Sequence, residues 1–134
     1  MSNGRNSSHS KALEEICKKT NYYLGIKPRD ILTVSKEQNL IYRGSHYLQP
    51  DIVLELKSGL VVLIEYKSCE ENSLVEKGRE QLKKAMIFYE TFLGKKTRGF
   101  LIVEDKILDS GDLGHFNKPY KKISNKKDYR KNCL

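Results

Sequence analysis

The chain has 134 residues, 38% apolar content and a formal charge of +8, enough for one modest core with little spare for a second. No apolar run approaches the ~20 residues of a membrane-spanning helix. The opening MSNGRNSSHSK lacks the apolar centre of a secretory signal, so an intracellular protein, in cytoplasm or nucleus, is expected. The basic balance points to a polyanionic partner, nucleic acid first. It does not separate DNA from RNA, and it can serve solubility alone. Cys17, Cys69 and Cys133 are odd in number and lack zinc or iron–sulfur spacing. Free thiols in a reduced compartment are the simplest expectation.

Residues 1 to 9 are polar and Ser/Asn-rich, and read as a flexible arm. Ser10 caps an expected helix to about Leu24, with Leu13, Ile16, Cys17, Thr20, Tyr23 and Leu24 as its apolar stripe. Gly25 closes it. Glu14 borders the stripe and Glu15 points away from it. Ile31 to Ser35 and Leu40 to Tyr42 read as short strands of a meander that supplies the outer strand of a sheet. The segment Arg43-Gly44-Ser45-His46-Tyr47-Leu48-Gln49 then leads into Asp51. Arg43 and Ser45 are candidate phosphate contacts. His46 is a candidate substrate or metal contact, with an ordinary surface histidine as the alternative.

The most informative stretch is PDIVLELKSGLVVLIEYK, from Pro50 to Lys67. Two β-branched, apolar runs flank Lys57-Ser58-Gly59, and a glycine in third place suits a three-residue hairpin loop. That loop pairs Leu56 with Leu60 and, counting back, Asp51 with Glu65, about 5 Å apart at Cβ. Lys67 then points the same way, about 7 Å further on. A two-residue loop would instead oppose Asp51 to Tyr66 and send Glu65 to the other face. The alternation favours the first register. Ile52, Leu54, Leu56, Leu60, Val62, Ile64 and Tyr66 form a core face. Asp51, Val53, Glu55, Val61, Leu63, Glu65 and Lys67 form a face that is apolar near the turn and charged at one end. Two carboxylates in reach of one cation suit a hard metal such as Mg²⁺. Such an ion polarises a phosphate and acidifies water, and a lysine beside it orients that water or stabilises charge at phosphorus. A half-buried strand with a salt-bridged Glu/Lys edge is the plainer alternative.

After Lys67, Asn72 or Ser73 caps a second helix to about Leu93, closed by Gly94. Its stripe is Leu74, Gly78, Leu82, Ala85, Met86, Tyr89 and Leu93, and Gly78 allows close approach to the sheet at some loss of helix propensity. Gln81 lies beside that stripe. Arg98 to Asp105 reads as a buried strand, and a strand–helix–strand unit makes it the parallel neighbour of strand 60–67. Beyond Asp105, Ile107 and Leu108 form at most a short element. From His115 the tail carries seven basic residues against Asp128, or +6 of the total +8. Lys121, Lys122, Lys126 and Lys127 are its candidate phosphate contacts; a disordered solubilising end is the alternative. The expected organisation is an arm over 1–9, a core over 10–105 and a basic extension over 106–134.

Pro50-Asp51, thirteen residues, then Glu65-Tyr66-Lys67, with the acid opening one strand and E-x-K ending the next ahead of a long helix, resembles the signature of the PD-(D/E)XK nuclease superfamily. The likeness covers roughly residues 10 to 104 and is greatest to small Holliday-junction resolvases and VRR-type nuclease modules. It implies an α/β protein with a restriction-endonuclease-like αβββαβ core, a mixed central sheet flanked by helices. It implies a Mg²⁺- or Mn²⁺-dependent endonuclease hydrolysing DNA, in which Asp51, Glu65 and Lys67 are catalytic. Asp51, Glu65 and the Tyr66 carbonyl would hold the metal. Such nucleases often add a first-helix glutamate, for which Glu14 is the candidate. Several also carry a helix glutamine at the substrate; Gln81 matches that weakly, because their tyrosine four residues on is Ala85 here. Cutting two strands from one small chain implies a symmetric homodimer. An RNA endonuclease of the same fold, or a nucleic-acid-binding module without turnover, remain the competing functions.

Overall fold

The computed structural model describes residues 4–42 and 45–120. In chain order they form helices α1 (Gly4–Lys18) and α2 (Thr20–Leu24), then strands β1 (Ile31–Lys36), β2 (Leu40–Tyr42), β3 (Ser45–Leu48), β4 (Ile52–Leu56) and β5 (Val61–Lys67). Helix α3 (Asn72–Ile87) follows and runs on into a π-helical turn, Phe88–Phe92. Strands β6 (Thr97–Val103) and β7 (Lys106–Gly111) and the short helix α4 (Leu113–Asn117) complete the set. Five strands make one mixed sheet in the order β1-β4-β5-β6-β7, and β2 and β3 make a separate two-stranded ribbon.

The hairpin fixes the register of everything else. Leu56 and Leu60 flank the loop, with Leu56 N–H donating to the Leu60 carbonyl at 2.9 Å and Gly59 N–H to the Leu56 carbonyl at 2.9 Å. Gly59 sits at φ +100°, a conformation that side chains with a Cβ rarely adopt. Ile52 therefore opposes Ile64, Val53 opposes Leu63 and Leu54 opposes Val62. The α3 crossover brings β6 in parallel to β5, pairing Glu65 with Leu101 and Lys67 with Val103, as the handedness rule requires of a strand–helix–strand unit.

Both faces of the sheet are buried, which is why these strands read as nearly continuous apolar runs. On one face Ile52, Leu54, Val62, Ile64, Phe100 and Ile102 meet Leu13 and Ile16 of α1. On the other, Val53, Val61, Leu63, Leu101 and Val103 meet Val75, Leu82, Ala85 and Met86 of α3. Each of these side chains larger than Ala85, fully buried, contributes roughly 1.5–3 kcal/mol. Glu90 pins the π turn to the sheet, its Oε2 accepting from Thr97 N–H at 3.1 Å and Thr97 Oγ1 at 2.7 Å.

Several elements differ from the expectation. The first helix starts at Gly4, ahead of Ser10, and breaks at Lys19 (φ −126°, ψ 48°) before Gly25 ends α2 at φ +72°. The outer strand is β1, paired directly with β4, while Leu40–Tyr42 leaves the sheet to pair with Ser45–Leu48. An edge strand, β7, stands where only a short element was expected. The stretch from His115 opens inside α4, and Phe116 is buried in the α3-side core. Cys17 is a free thiol, but Cys69 is disulfide-bonded, so the expectation of free thiols fails there. Among the described residues no helix is long and apolar enough to cross a membrane.

Gly78 behaves as the sequence suggests. A Cβ there would lie 2.7 Å from Leu101 Cδ1 and 3.4 Å from Lys67 Cε. Leu101 is fully buried and has little room to yield. Overpacking of this kind costs about 1–3 kcal/mol, against about 1 kcal/mol of helix propensity gained by alanine. Gly78→Ala is therefore expected to cost about 1 kcal/mol net in stability, read as a lower urea midpoint at unchanged slope; a higher midpoint would show that α3 stands further from the sheet.

Candidate active site

The hairpin register carries one step beyond β4 and sets Asp51 beside Glu65. Two main-chain hydrogen bonds knit the strand ends together. Asp51 N–H donates to Glu65 Oε2 at 3.2 Å, and Tyr66 N–H donates to Asp51 Oδ2 at 2.8 Å. Both carboxylates are thus held by main-chain donors at the end of the sheet. Glu65 is only 2% exposed. Lys67 lies two residues on, on the α3 side, its stem running past Gly78. In a strand the N–H and C=O of one residue point to the same side. The Tyr66 carbonyl therefore faces the gap beyond the start of β4, where Asp51 sits.

Burial is the main reason the Glu65 carboxyl is pushed well above the ordinary carboxylate range. The neighbouring Asp51 charge adds to the push, while the Asp51 main-chain donor and the Lys67 ammonium oppose it. Two carboxylates sharing a site resist joint ionisation. A divalent ion between them relieves that repulsion, so the donor set fits Mg²⁺ or Mn²⁺. Among the described residues no three His, Cys, Asp or Glu side chains converge into a ready cage. Magnesium does not need one, since it is commonly bound through one or two carboxylates and keeps several waters.

The first helix contributes differently from the expectation. Glu14 is exposed, one residue past the buried Leu13, and makes no hydrogen bond or ion pair to the acidic pair among the described residues. His9 does. Its Nε2 lies 3.3 Å from Asp51 Oδ1 and 3.8 Å from Glu37 Oε2, and its ring leans on Tyr66 with centroids 5.9 Å apart. Glu37, just past β1 at φ +52°, donates its N–H to the Asp51 carbonyl at 2.9 Å. His9 was missed because residues 1–9 read as an arm. It nonetheless lies four residues before Leu13, on the stripe's own spacing.

Gln81 sits on α3 one turn after Gly78, half-buried. Its Oε1 is buried and has no hydrogen-bond partner among the described residues. Such a group is poised for an outside donor. The backbones of Ser45 and His46 pair with Tyr42 and Ile41 in the ribbon. Their side chains, with Arg43, Lys121, Lys122, Lys126 and Lys127, lie outside the described residues. A second polar cluster was not anticipated. Arg79, 6% exposed, is ion-paired to Asp109 and donates to the Lys118 carbonyl at 2.8 Å. His115 Nε2 meets Asp109 Oδ1 at 2.6 Å. Arg79 stands three residues before Leu82 and four after Val75, on the buried stripe; an arginine in that place was the signal.

Compared with known proteins, the chain matches no family model, no curated protein and no solved structure.

The shifted Glu65 sets a pH dependence. Between the ordinary glutamate value, about 4.3, and its raised value, the folded metal-free chain holds a proton that the unfolded chain has lost. Stability supplied by this group is complete below that window and falls as pH rises through it. Glu65→Gln removes the charge and keeps an acceptor for Asp51 N–H. The gain in Tm of Glu65→Gln over the parent is expected to widen from acidic to neutral pH, and saturating Mg²⁺ should narrow it. A gap that stays constant with pH would mean that Glu65 titrates normally.

Proposed function

We propose that the chain is a divalent-metal-dependent endonuclease that hydrolyses DNA phosphodiester bonds, of the PD-(D/E)XK kind. The single observation that carries this is the Asp51–Glu65 contact, with Tyr66 N–H held by Asp51 and Lys67 two residues on along the same face. The order α1, β1, β4, β5, α3, β6 supports an αβββαβ core, restriction-endonuclease-like, with the β2–β3 ribbon as an insertion and β7 as an added edge.

A bound Mg²⁺ or Mn²⁺ supplies a polarised phosphate and a water of lowered pKa. Asp51, Glu65 and the Tyr66 carbonyl would hold that ion. The main-chain donors on Asp51 and Glu65 fix the carboxylates before the ion arrives, so little reorganisation is left for the reaction. Lys67 reaches the same face as a point charge. There it orients the attacking water, whose oxygen bonds to phosphorus as the bond to the leaving sugar oxygen breaks, and it stabilises the charge gathering on the phosphoryl oxygens. His9, against Asp51, limits how that carboxylate turns. Gln81 offers an unpartnered acceptor on the helix above. One such site cuts one strand. Cleaving both strands of a duplex, or resolving a four-way junction, requires a second copy, so a symmetric homodimer belongs to the proposal.

The test is a panel of linear, nicked, flap and four-way-junction DNAs with matched RNAs, incubated with Mg²⁺ and with EDTA. Cleavage is expected on DNA, branched DNA above all, and none with EDTA. Asp51→Ala and Lys67→Ala should each lose at least about a hundredfold in rate while binding DNA like the parent. Mutants that cut like the parent would overturn the reading, and cleavage of RNA alone would move it to a ribonuclease.

The basic tail makes a separate prediction. Changing Lys121, Lys122, Lys126 and Lys127 together to glutamine removes four charges. If each touches a phosphate of duplex DNA, the slope of log K against log salt falls by about 3–4. An unchanged slope would mark the tail as a spacer.

A further inference from the structure

The Arg79–Asp109–His115 cluster borders a cavity of about 570 Å³ that the triad does not use. Its size lies within the roughly 300–1,000 Å³ of small-ligand sites. Glu70, Leu108, His115, Lys118 and Tyr120 line it in front of the Arg79–Asp109 pair.

Its position follows from strand register. Glu65 pairs with Leu101, and Leu101 pairs with Asp109. Residues opposed across a sheet share a face, and strands are about 4.8 Å apart, so Asp109 stands about 10 Å from Glu65 at backbone level, on the same side. Arg79 of α3 reaches down to Asp109 from that side. Glu70, on the rim, is the third residue after Lys67. The cavity and the triad therefore open at the same end of the α3 face.

Its chemistry follows from how the back wall is satisfied. Arg79 is ion-paired with Asp109 and also donates to Lys118, so its charge is neutralised within the protein and offers little to an anion. Its guanidinium lies 5.0 Å from the Phe116 ring centre and 5.6 Å from that of Tyr120, which holds the Tyr120 ring in place. Asp109 likewise holds the His115 ring. What remains around the opening are the Tyr120 and His115 rings, the apolar Leu108, the acidic Glu70 and the exposed, basic Lys118. Flat apolar surfaces with one acceptor and one donor at the rim suit a planar heteroaromatic that carries amino and carbonyl groups on its edge.

We infer that this cavity takes a nucleobase of the substrate strand, turned out of its stack, beside the phosphate held at Asp51, Glu65 and Lys67. The inference rests on the nuclease reading for its substrate. Extruding a base is how enzymes that act on a base reach it inside a duplex, and it costs least at unpaired or distorted positions. The cavity would thus favour branched or damaged DNA through the ease of extrusion and without reading sequence in a groove.

The test does not need cleavage. The full chain is titrated with each of the four deoxynucleoside 5′-monophosphates, and separately with inorganic phosphate, following the His115 and Tyr120 ring signals by NMR. A saturable shift is expected with the nucleotides and none with phosphate. Tyr120→Ala should weaken binding about 5- to 150-fold, the range for loss of one base–aromatic stack, and Tyr120→Phe should keep it. Absence of a saturable shift at millimolar nucleotide, or the same shift with phosphate alone, overturns the base site. Binding that Tyr120→Ala leaves intact overturns it as well. Cleavage without nucleotide binding removes the cavity's role and leaves the nuclease standing; nucleotide binding without cleavage of any substrate does the reverse. On cleavable DNA, an abasic position at one fixed step from the cut should raise KM at least about fivefold for the parent and not for Tyr120→Ala; indifference at every position overturns extrusion.

Discussion

The constraint on which this structure turns is the pairing of Asp51 with Glu65 across the mouth of a hairpin. Burying one carboxylate is expensive, and burying it against another more so. The hydrogen bonds from Asp51 N–H and Tyr66 N–H offset part of that cost. They do not remove the like charge. Burial and that like charge push the Glu65 carboxyl well above the ordinary carboxylate range, and a divalent ion between the two groups would relieve the repulsion. A sheet built only for stability would place apolar residues here, as it does one step back at Ile52 and Ile64. Replacing a buried polar pair with apolar side chains of similar volume is commonly neutral or stabilising. The retained acids therefore point to a task other than holding the sheet together.

The rest of the fold serves that pair by holding the sheet end still. Ile64 and Leu63 lie in opposite cores, so β5 is gripped from both faces up to the residue before Glu65. Gly78 lets α3 come down onto Leu101 and the Lys67 stem. The lysine is thereby laid along the helix and kept from swinging free. Glu37 ties the end of β1 to the Asp51 carbonyl, and His9 closes the remaining side. Each contact is individually modest. Together they leave Asp51 few orientations, the kind of restraint that a preorganised binding group requires.

Much of this was legible because it depends on local rules. A glycine third in a three-residue loop sets the hairpin register, and register sets which residues meet. The parallel placement of β6 follows from crossover handedness, and the close approach at Gly78 from a missing side chain on an apolar stripe. What was not legible depends on tertiary competition. The ribbon β2–β3 leaves the sheet because β1 occupies the edge of β4, and nothing in Leu40–Tyr42 says which partner wins. The strand β7, KILDSG, has no apolar alternation to reveal it, and it forms because β6 offers an open edge. Helix α1 extends back to Gly4 through residues of low propensity. That leaves tertiary contacts such as His9 with Asp51, invisible along the chain, to favour it. The buried Arg79 was hidden by habit: an arginine on an apolar stripe reads as an interruption until an aspartate two strands away is found to meet it.

That arginine also explains how one small sheet face can hold two separate polar clusters. Between Glu65 and Asp109 stands Leu101, fully buried under Gly78, an apolar wall about one strand wide. The polar groups on its two sides are each satisfied locally, Asp109 by Arg79 and His115, and Glu65 by the Asp51 main-chain N–H. Because Asp109 is engaged by Arg79, it adds little negative potential at the acidic pair. A carboxylate at that row without Arg79 would add its charge to that of Asp51 and push the Glu65 carboxyl higher still. The separation is thus electrostatic as well as spatial, and it rests on Arg79 being where a hydrophobic side chain would pack as well.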